Sequence, residues 1–313
     1  MHVALIGGAG LVGKKLAEKL CQQGHHVRVL DVVPFSLVLP NTSQRVHSEL
    51  VDLCRVQQSS LARLLQGCDA LVHLAAQINP PRRGGRAAMR LLHERGTQIT
   101  MRAAKQAEIP RVVLVSSAVV YGAHDDNPDF ISEDHALRPL ADFPYGLDKK
   151  LQEDIFNDEK SSWQSAATLR SAIIFSKQTD NYLSHMLRIA PGILPAVDGK
   201  RPALQFVHTD DVAEALATLA TGKPKGAFNF GGAPSPYDEV ARIAGLKVVN
   251  IPRRALAPFL NVGARFVPAK WRAPAYVLDQ LAHPYVLSSK RAESELGVVA
   301  RSSAEALADM LQR

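Results

Sequence analysis

The sequence has no long hydrophobic run and very little cysteine. No apolar stretch approaches the roughly 18 to 20 residues that span a bilayer, so no membrane-spanning helix is expected. Cys21, Cys54 and Cys68 lack any Cys-x-x-Cys spacing, and we expect reduced thiols rather than metal ligands. The first strand is expected to begin at His2, which leaves no room for a secretory segment. These features predict a cytoplasmic chain without a structural metal.

Aromatic residues are also scarce, at 6%, whereas basic residues exceed acidic ones and give a formal charge of +7. An acidic partner is expected, but nucleic acid is the least favoured because no basic strip is interleaved with aromatic residues. Positive charge concentrates in residues 80–90 and 253–272, and each stretch is expected to be a solvated surface. Residues 251–271 also alternate apolar side chains with arginines. Peripheral membrane contact is one interpretation, and a cap helix packed on the protein is the favoured one.

Glycine is placed with a purpose near the start of the chain. The apolar run Val3–Ile6 is followed by the turn GGAGLVG, which places glycines at three-residue spacing. Such glycines permit a tight strand-to-helix turn, a close approach to a pyrophosphate and close helix packing. Asp31 ends a second apolar run, where a carboxylate can bind the ribose hydroxyls. The turn predicts a dinucleotide site whose contacts are Gly7, Gly10, Leu11, Val12, Gly13 and Asp31.

Short apolar runs alternate with helical patterns over the first 118 residues, which is typical of an α/β fold with a doubly wound parallel sheet. The predicted strands are Val3–Ile6, Val27–Leu30, Arg45–Leu50, Ala70–Leu74 and Val112–Ser116. The predicted helices are Lys14–Gln23, Leu61–Leu65 and Met89–Ala107.

Two further segments follow predicted strands and are candidate cofactor contacts. Asp52 and Leu53 follow the third strand, where the carboxylate either reaches the adenine amino group or caps a turn. Leu74, Ala75 and Ala76 end the fourth strand, and the two alanines leave room either for the nicotinamide ribose or for a packed helix. Both alternatives remain open for each segment.

The candidate catalytic residues are Ser117, Tyr145 and Lys149. Ser117 ends the fifth strand, at the edge of the sheet where such folds bind ligands. Tyr145 and Lys149 are four residues apart, which places both on one face of a helix. A tyrosine has a pKa of about 10, and a nearby ammonium together with an oxidised nicotinamide is expected to lower it toward about 7. Ser117 would then hold a substrate oxygen while Tyr145 transfers its proton.

Nine features occur in an order that resembles the extended short-chain dehydrogenases/reductases, the NAD-dependent epimerase/dehydratase family. They are GGAGLVG, Asp31, VDL, HLAA, SSAVVYG, Tyr145-x-x-x-Lys149, LRS at 169–171, FVHTDDVAEAL at 206–216 and FNFGG at 228–232. The resemblance implies a Ser117, Tyr145 and Lys149 triad, which also places Tyr145 and Lys149 beside the NAD cofactor. It also implies a homodimer joined through the long helix at 89–107 and the helix carrying Tyr145.

The chain departs from this family in two places. His93 stands where the family usually has an asparagine. It is either a proton relay itself, a residue whose relay role a water takes over, or a neutral replacement. Leu204 and Gln205 replace the Arg-Asp that precedes the Phe-Val-His motif in nucleotide-sugar epimerases. The segment between residues 170 and 206 is largely apolar, with Arg188 and Arg201 as exceptions. These differences favour a less polar alcohol or ketone over a nucleotide diphosphate.

The resemblance divides the chain into two parts. Residues 1–175 and 206–232 are expected to form the NAD-binding Rossmann domain, and residues 176–205 and 233–313 a smaller substrate-binding lobe. The expected function is NAD-dependent hydride transfer at a secondary alcohol or ketone carbon of a small molecule. The alternatives are a nucleotide-sugar epimerase or dehydratase with retained NAD, and a non-catalytic protein that senses NAD or NADP.

Overall fold

The computed structural model describes residues 1–36, 45–81, 83–180, 182–188, 192–262 and 276–312. Its strands are β1 (His2–Ile6), β2 (His26–Asp31), β3 (Val46–Leu50), β4 (Ala70–His73), β5 (Arg111–Ser117), β6 (Ser165–Ser171), β7 (Ile173–Phe175), β8 (Gly192–Val197), β9 (Phe206–His208), β10 (Gly226–Phe230) and β11 (Leu246–Ile251). Its helices are α1 (Leu11–Gln22), α2 (Gln58–Leu65), α3 (Gly85–Gln106), α4 (Pro144–Glu159), α5 (Tyr182–Arg188), α6 (Thr209–Thr221), α7 (Tyr237–Ala244), α8 (Arg253–Val262), α9 (Val277–Ala282), α10 (Lys290–Leu296) and α11 (Ser303–Leu311).

Seven parallel strands form the central sheet, in the order β10-β6-β5-β4-β1-β2-β3. The chain therefore runs outward from β1 in one direction through β2 and β3, and in the other through β4, β5 and β6. Ligands of open α/β sheets bind where the strand order reverses, beyond the carboxyl ends of the strands. The predicted doubly wound Rossmann sheet is confirmed, and its switch point lies between β1 and β4.

Helices cover both faces of this sheet because successive strand residues are apolar on both sides. In β1, Val3 and Leu5 pack into one cluster with α1 and α6, while Ala4 and Ile6 pack into another with α2 and α3. All four side chains are buried. The four-residue core of the first strand thus fixes the orientation of the glycine-rich turn that follows it.

A separate apolar cluster lies in the C-terminal part of the chain. It joins α5, β8, α7, α9 and α11, and its members include Leu187, Leu194, Val240, Leu281 and Leu307. Strands β8 and β11 pair with each other in parallel, as do β7 and β9. Tyr145 packs against this cluster from α4, so this side chain lies where the central sheet and the C-terminal elements meet.

Helix α3 differs from its predicted extent. It begins at Gly85 rather than Met89, after Gly84 turns the chain with a φ of +77°. The sequence predicts that the arginines of residues 80–90 lie on a solvated surface, and for two of them this is not the whole description. Arg86 and Arg90 lie on α3 and bind the buried carboxylate of Asp148; Arg82 lies outside the described residues.

The second basic stretch is only partly described. Residues 253–262 form α8, and Leu256 packs against the C-terminal cluster, in line with the favoured cap-helix interpretation. The Arg253 guanidinium pairs with the Asp279 carboxylate. Residues 263–275 of this stretch lie outside the described part of the chain. No described helix is both long and apolar enough to cross a membrane.

A buried ion pair fastens α4 to the central sheet. Glu153 on α4 receives hydrogen bonds from the Arg170 guanidinium on β6, with an Nη2 to Oε2 distance of 2.7 Å, and one from Ser116 Oγ on β5 at 2.5 Å. Arg170 also donates to Tyr121 Oη at 2.6 Å. Because both charges are more than 90% buried, removing one leaves the other without its partner.

We expect Arg170→Met to lower the free energy of unfolding by about 3 kcal/mol, since it leaves Glu153 charged and unpaired in the interior. Urea denaturation followed by circular dichroism measures this change. Arg138→Met is the control, because Arg138 pairs with Asp126 at the surface and its removal should leave stability nearly unchanged. Equal losses in both variants would contradict a special role for the buried pair.

Candidate active site

Two glycines of the turn leave no room for larger side chains, whereas a Cβ on Gly10 would make only an ordinary contact, 3.7 Å from the Gly7 carbonyl oxygen. Gly7 has a φ of +79°, and a Cβ atom there would lie 2.6 Å from the backbone N and Cα of Ala75. A Cβ on Gly13 would lie 2.4 Å from the carbonyl oxygen of Gly8. The turn is therefore pressed against both β4 and the start of α1, and these contacts account for glycine at both positions.

The N-terminus of α1 lies at this turn. Its cap, Gly10, provides no side-chain hydrogen bond, and the first turn holds no acidic residue. Leu11 and Val12 form that first turn, and Val12 packs against the sheet. Backbone amides at an uncapped helix N-terminus bind anions, so this turn is suited to a pyrophosphate.

Asp31 ends β2 beside this turn. Its Oδ2 accepts the Ala9 amide at 2.9 Å, and its Oδ1 accepts the Val33 amide at 3.2 Å. Each carboxylate oxygen has a second lone pair, which is left to accept a ribose hydroxyl. The arrangement holds the carboxylate at the mouth of the turn, where the sequence predicts it.

Asp52 makes the contact of a turn cap. Its Oδ1 accepts the Cys54 amide at 2.9 Å, and its Oδ2 lies 3.4 Å from Arg55 Nε. Leu53 is buried and packs next to Gly96 on α3. Of the two alternatives for Asp52, the turn cap is the one present among its own contacts, and its reach to an adenine stays a prediction.

The end of β4 lines the opposite side of the turn. The Leu74 amide donates to the Ile6 carbonyl at 2.8 Å, and the half-buried Ala75 lies against Gly7. Before them, His73 is fully buried and bonds through Nε2 to Thr97 Oγ1 at 3.2 Å. Burial, with smaller contributions from the Lys149 and His93 charges, lowers the pKa of His73 to about 3, so it stays neutral.

The two serines at the end of β5 have different environments. Ser116 is buried and donates to Glu153. Ser117 is only partly buried, and its Oγ accepts the Val119 amide at 3.4 Å at the start of a short 3-10 turn. Its hydroxyl hydrogen is left to donate to a ligand. Ser117, rather than Ser116, has the exposure that a catalytic serine requires.

Tyr145 and Lys149 lie one turn apart on α4, as predicted. The Lys149 side chain is buried, donates from Nζ to the Val115 carbonyl at 2.8 Å, and places Nζ 5.7 Å from the centre of the Tyr145 ring. Burial lowers the pKa of Lys149 to about 8, against an opposing effect of Glu153. An amine with this pKa is mostly charged at neutral pH.

Burial of the phenol raises the pKa of Tyr145 above its ordinary value. The Lys149 ammonium donates to a backbone carbonyl, and its Nζ lies 5.7 Å from the centre of the Tyr145 ring. The lowered pKa that is expected with an oxidised nicotinamide beside the phenol stays a prediction.

Sequence reasoning left His93 outside the catalytic set and missed Asp148. His93 lies in α3, 6.2 Å from Tyr145 between ring centres, and hydrogen-bonds through Nδ1 to the carboxylate of Asp148 at 2.7 Å. Asp148 is the residue before Lys149 and is fully buried. Its position next to Lys149 was the available signal, but its partners lie more than 50 residues away in the chain.

Residues 3–231 match the model of the NAD dependent epimerase/dehydratase family. The chain belongs to this family. Its cofactor is accordingly NAD. The turn at Gly7, the uncapped α1 and the carboxylate of Asp31 fit that molecule, with the amides of α1 suited to its pyrophosphate and Asp31 to its adenosine ribose.

Similar proteins include epimerases and dehydratases. The dTDP-glucose 4,6-dehydratase of Streptomyces niveus is 30% identical, with 74% of this chain and 73% of that protein covered. The uncharacterised protein y4nG of Sinorhizobium fredii is 27% identical over 72% of this chain. The chain spans only 55% of the length of y4nG and 61% of that of an uncharacterised Mycobacterium tuberculosis relative.

Solved structures share the whole fold. The structure of MoeE5 in complex with UDP-glucose and NAD has a TM-score of 0.73 and 25% identity, with 99% of this chain and 97% of that chain covered. DesIV, a dTDP-glucose 4,6-dehydratase of Streptomyces venezuelae solved with NAD, has a TM-score of 0.71, 22% identity and coverage of 99% and 96%. The likeness to DesIV supports the fold alone.

We expect the stability of the cofactor-free protein to rise by about 2 kcal/mol between about pH 7.5 and pH 9.5 on account of Lys149. The pKa of this amine is about 8 in the folded chain and 10.5 ordinarily, so between these values the unfolded state binds more protons than the folded state. The free energy of unfolding therefore rises with pH in this range. Urea denaturation at the two pH values measures the rise.

Lys149→Met should remove this part of the pH dependence. Lys150→Met, on the exposed face of the same helix beside Asp154, should retain it. The assignment would be wrong if both variants kept the same pH slope as the unmodified chain.

Proposed function

We propose that this chain is an NAD-dependent oxidoreductase that transfers hydride between the cofactor and a carbon bearing a secondary hydroxyl or keto oxygen. Ser117, Tyr145 and Lys149 act on the substrate and the cofactor. The observation that carries the proposal is the buried Lys149 ammonium beside the ring of Tyr145, on a helix that follows the cofactor-side edge of the sheet. A buried lysine without a carboxylate in direct contact is costly, and such groups cluster at functional sites.

When bound, NAD accepts a hydride from the carbon that carries the hydroxyl, and its reduced form returns one to a carbonyl carbon. In oxidation the Tyr145 phenolate takes the hydroxyl proton, and in reduction the phenol gives a proton to the carbonyl oxygen. Ser117 Oγ donates a hydrogen bond to the same oxygen. Burial opposes the phenolate, so the positive charge of Lys149 and that of the oxidised cofactor are both required to stabilise it.

Two arginines bear on the choice of substrate. Arg188 donates to the carbonyls of Met310 and Thr179 at 2.8 and 2.9 Å, and Arg201 donates to the Asp238 carboxylate at 2.8 Å. Both guanidinium groups are therefore occupied by the protein itself. This supports a substrate without a diphosphate, because these two cations already pair with groups of the protein.

A cavity among the C-terminal elements also lacks cationic side chains among its described lining residues. Its lining is mostly aliphatic and aromatic, with Gln205 among the polar side chains. Gln205 itself is committed to the protein, since its amide bonds to the Gly232 and Leu287 carbonyls and to the Leu287 amide. The aliphatic lining residues include Leu183, Leu187, Leu194 and Leu281. The cavity has an accessible volume of only about 30 Å³, so it shows the apolar character of this part of the chain and is too small to hold a substrate group as it stands.

The second candidate function is that of a nucleotide-sugar epimerase or dehydratase that retains NAD. It is favoured by the similarity to the Streptomyces niveus dehydratase and to MoeE5, whose structure contains UDP-glucose. The same three catalytic residues would serve it, because these reactions also begin with hydride transfer. Only the substrate-binding part of the chain separates the two candidates.

The organisation of the protein is proposed on the same grounds. Residues 1–175 and 206–232 would bind NAD, and residues 176–205 and 233–313 would bind the substrate. We propose a cytoplasmic homodimer that pairs α3 and α4 of each copy, since Leu91 and Leu147 are exposed on these helices. Sedimentation as a monomer at micromolar concentration would contradict this assembly.

Tyr145→Phe should lower turnover by about a thousandfold, because the variant cannot exchange a proton with the substrate oxygen. The assay follows NADH absorbance with a panel of hydrophobic secondary alcohols and ketones. With UDP-glucose and dTDP-glucose it follows the sugar products by chromatography, because an epimerase or dehydratase produces no net NADH. The dissociation constant for NADH should stay within about twofold, since the ring remains in place. Tyr237→Phe is the control for the loss of a phenol hydroxyl, because this phenol bonds to the Pro195 carbonyl and not to a proposed catalytic group. Unchanged turnover in Tyr145→Phe would refute the assignment.

The cofactor content of the purified protein distinguishes the two candidate functions. We expect protein purified without added cofactor to release little NAD or NADH on denaturation, as measured by chromatography, and to bind added NADH reversibly. Such behaviour is that of a dehydrogenase, which exchanges its cofactor in each turnover. Release of about one NAD or NADH per chain would instead favour the epimerase or dehydratase, which returns the hydride to the same substrate molecule.

A further inference from the structure

His93 makes two hydrogen bonds that fix its protonation. Its Nε2 lies 2.8 Å from the Gln77 backbone amide, and its Nδ1 lies 2.7 Å from Asp148 Oδ2. An amide can only donate, so Nε2 must be the unprotonated nitrogen, and the proton is on Nδ1, where it is donated to the carboxylate. The ring is fully buried, and both nitrogens are occupied by the protein.

Asp148 provides a rigid anchor for this ring. Arg86 donates to both carboxylate oxygens at 2.5 and 2.6 Å, and Arg90 donates to Oδ1 at 3.2 Å. Burial raises the pKa of Asp148, but the hydrogen bonds from Arg86 and His93 outweigh it and hold the pKa below its ordinary value. An ionised carboxylate with two guanidinium partners joins α3 and α4 and has little freedom to move.

Gln77 directly follows Ala75 and Ala76, and Ala75 lies against the Gly7 backbone in the cofactor turn. The segment after β4 has no regular secondary structure, so a bond to Gln77 limits how far it can move from that turn. We propose that His93 is a positioning residue for NAD: its Nε2 accepts the Gln77 amide and thereby holds the segment 74–77 against the cofactor, while the bond to Asp148 sets the tautomer that leaves Nε2 able to accept.

This role differs from a proton relay. A relay requires a ring nitrogen that is available to a substrate or to water, whereas both nitrogens of His93 are held by fixed protein groups. Burial, which outweighs the hydrogen bond to Asp148, lowers the pKa of His93 to about 4, so the ring stays neutral during turnover near neutral pH. Its ring edge meets Tyr145, but no nitrogen is left to exchange a proton there.

Two substitutions separate the two bonds of the ring. In His93→Asn the side-chain amide occupies the place of Nδ1, so it keeps the bond to Asp148 and loses the bond to Gln77. In His93→Gln the longer side chain reaches the place of Nε2, so it accepts the Gln77 amide. We expect the dissociation constant for NADH to rise about tenfold in His93→Asn and to stay within about twofold in His93→Gln.

The readouts need no substrate, so the inference depends on NAD binding and not on the proposed reaction. NADH fluorescence titration gives the dissociation constant, and hydrogen exchange of the Gln77 amide in the cofactor-free protein reports its bond directly. Exchange at Gln77 should accelerate about tenfold or more in His93→Asn and little in His93→Gln. His283→Gln is the control, because this histidine lies beside Lys200 and Asp279, outside the residues proposed to bind NAD, and its loss should not alter NADH binding.

The proposal would be overturned if His93→Asn bound NADH as tightly as the unmodified chain. It would also be overturned if His93→Gln lost as much NADH affinity as His93→Asn, or if Gln77 exchanged equally slowly in both. A His93 that serves stability alone would lower the melting temperature in both variants and leave both readouts unchanged.

Discussion

Helix α4 buries three charged side chains on one side, and a buried charge is tolerated only when other groups pair with it. Asp148 is paired by α3, Lys149 by the Val115 carbonyl on β5, and Glu153 by Arg170 on β6. The helix is therefore bound to three different elements by buried polar contacts whose loss would be strongly destabilising. These contacts also fix the position of Tyr145, at the start of the same helix.

The same principle connects α4 to the cofactor side of the protein. Asp148 is connected to the Gln77 amide by the two hydrogen bonds of His93. Ala75, two residues before Gln77, is in close contact with Gly7. Gln152, also on α4, donates to Thr97 Oγ1 at 2.8 Å and lies 3.4 Å from the Ala75 carbonyl. One connected set of buried polar contacts therefore links α4, which carries the proposed acid–base residue, to the turn suited to the pyrophosphate. Moving α4 relative to this turn would break hydrogen bonds of that set.

Much of this fold could be predicted from sequence because its signals are local. The order of apolar runs, the glycines after Val3–Ile6 and the four-residue spacing of Tyr145 and Lys149 each depend on a few neighbouring residues. The partners of Asp148 and Glu153 could not be predicted this way, since they come from other elements and depend on how the chain packs. The arginines of residues 80–90 could not be placed for the same reason. Their composition indicates a loop, but Arg86 and Arg90 lie on α3 and pair with the distant carboxylate of Asp148.

The raised pKa of Tyr145 has a consequence for how the proposed reaction is controlled. Burial raises the pKa of the Tyr145 phenol and lowers that of Lys149, so in the proposed reaction the positive charge of an oxidised nicotinamide would favour the phenolate. On this proposal, cofactor binding and activation of the base are coupled through electrostatics. The apolar cluster against which the partly buried Tyr145 packs would strengthen this coupling, because a charge has a larger effect in less polar surroundings. Apolar surroundings therefore serve both parts of the proposal: they suit a less polar substrate, and they make the ionisation of Tyr145 depend on the cofactor.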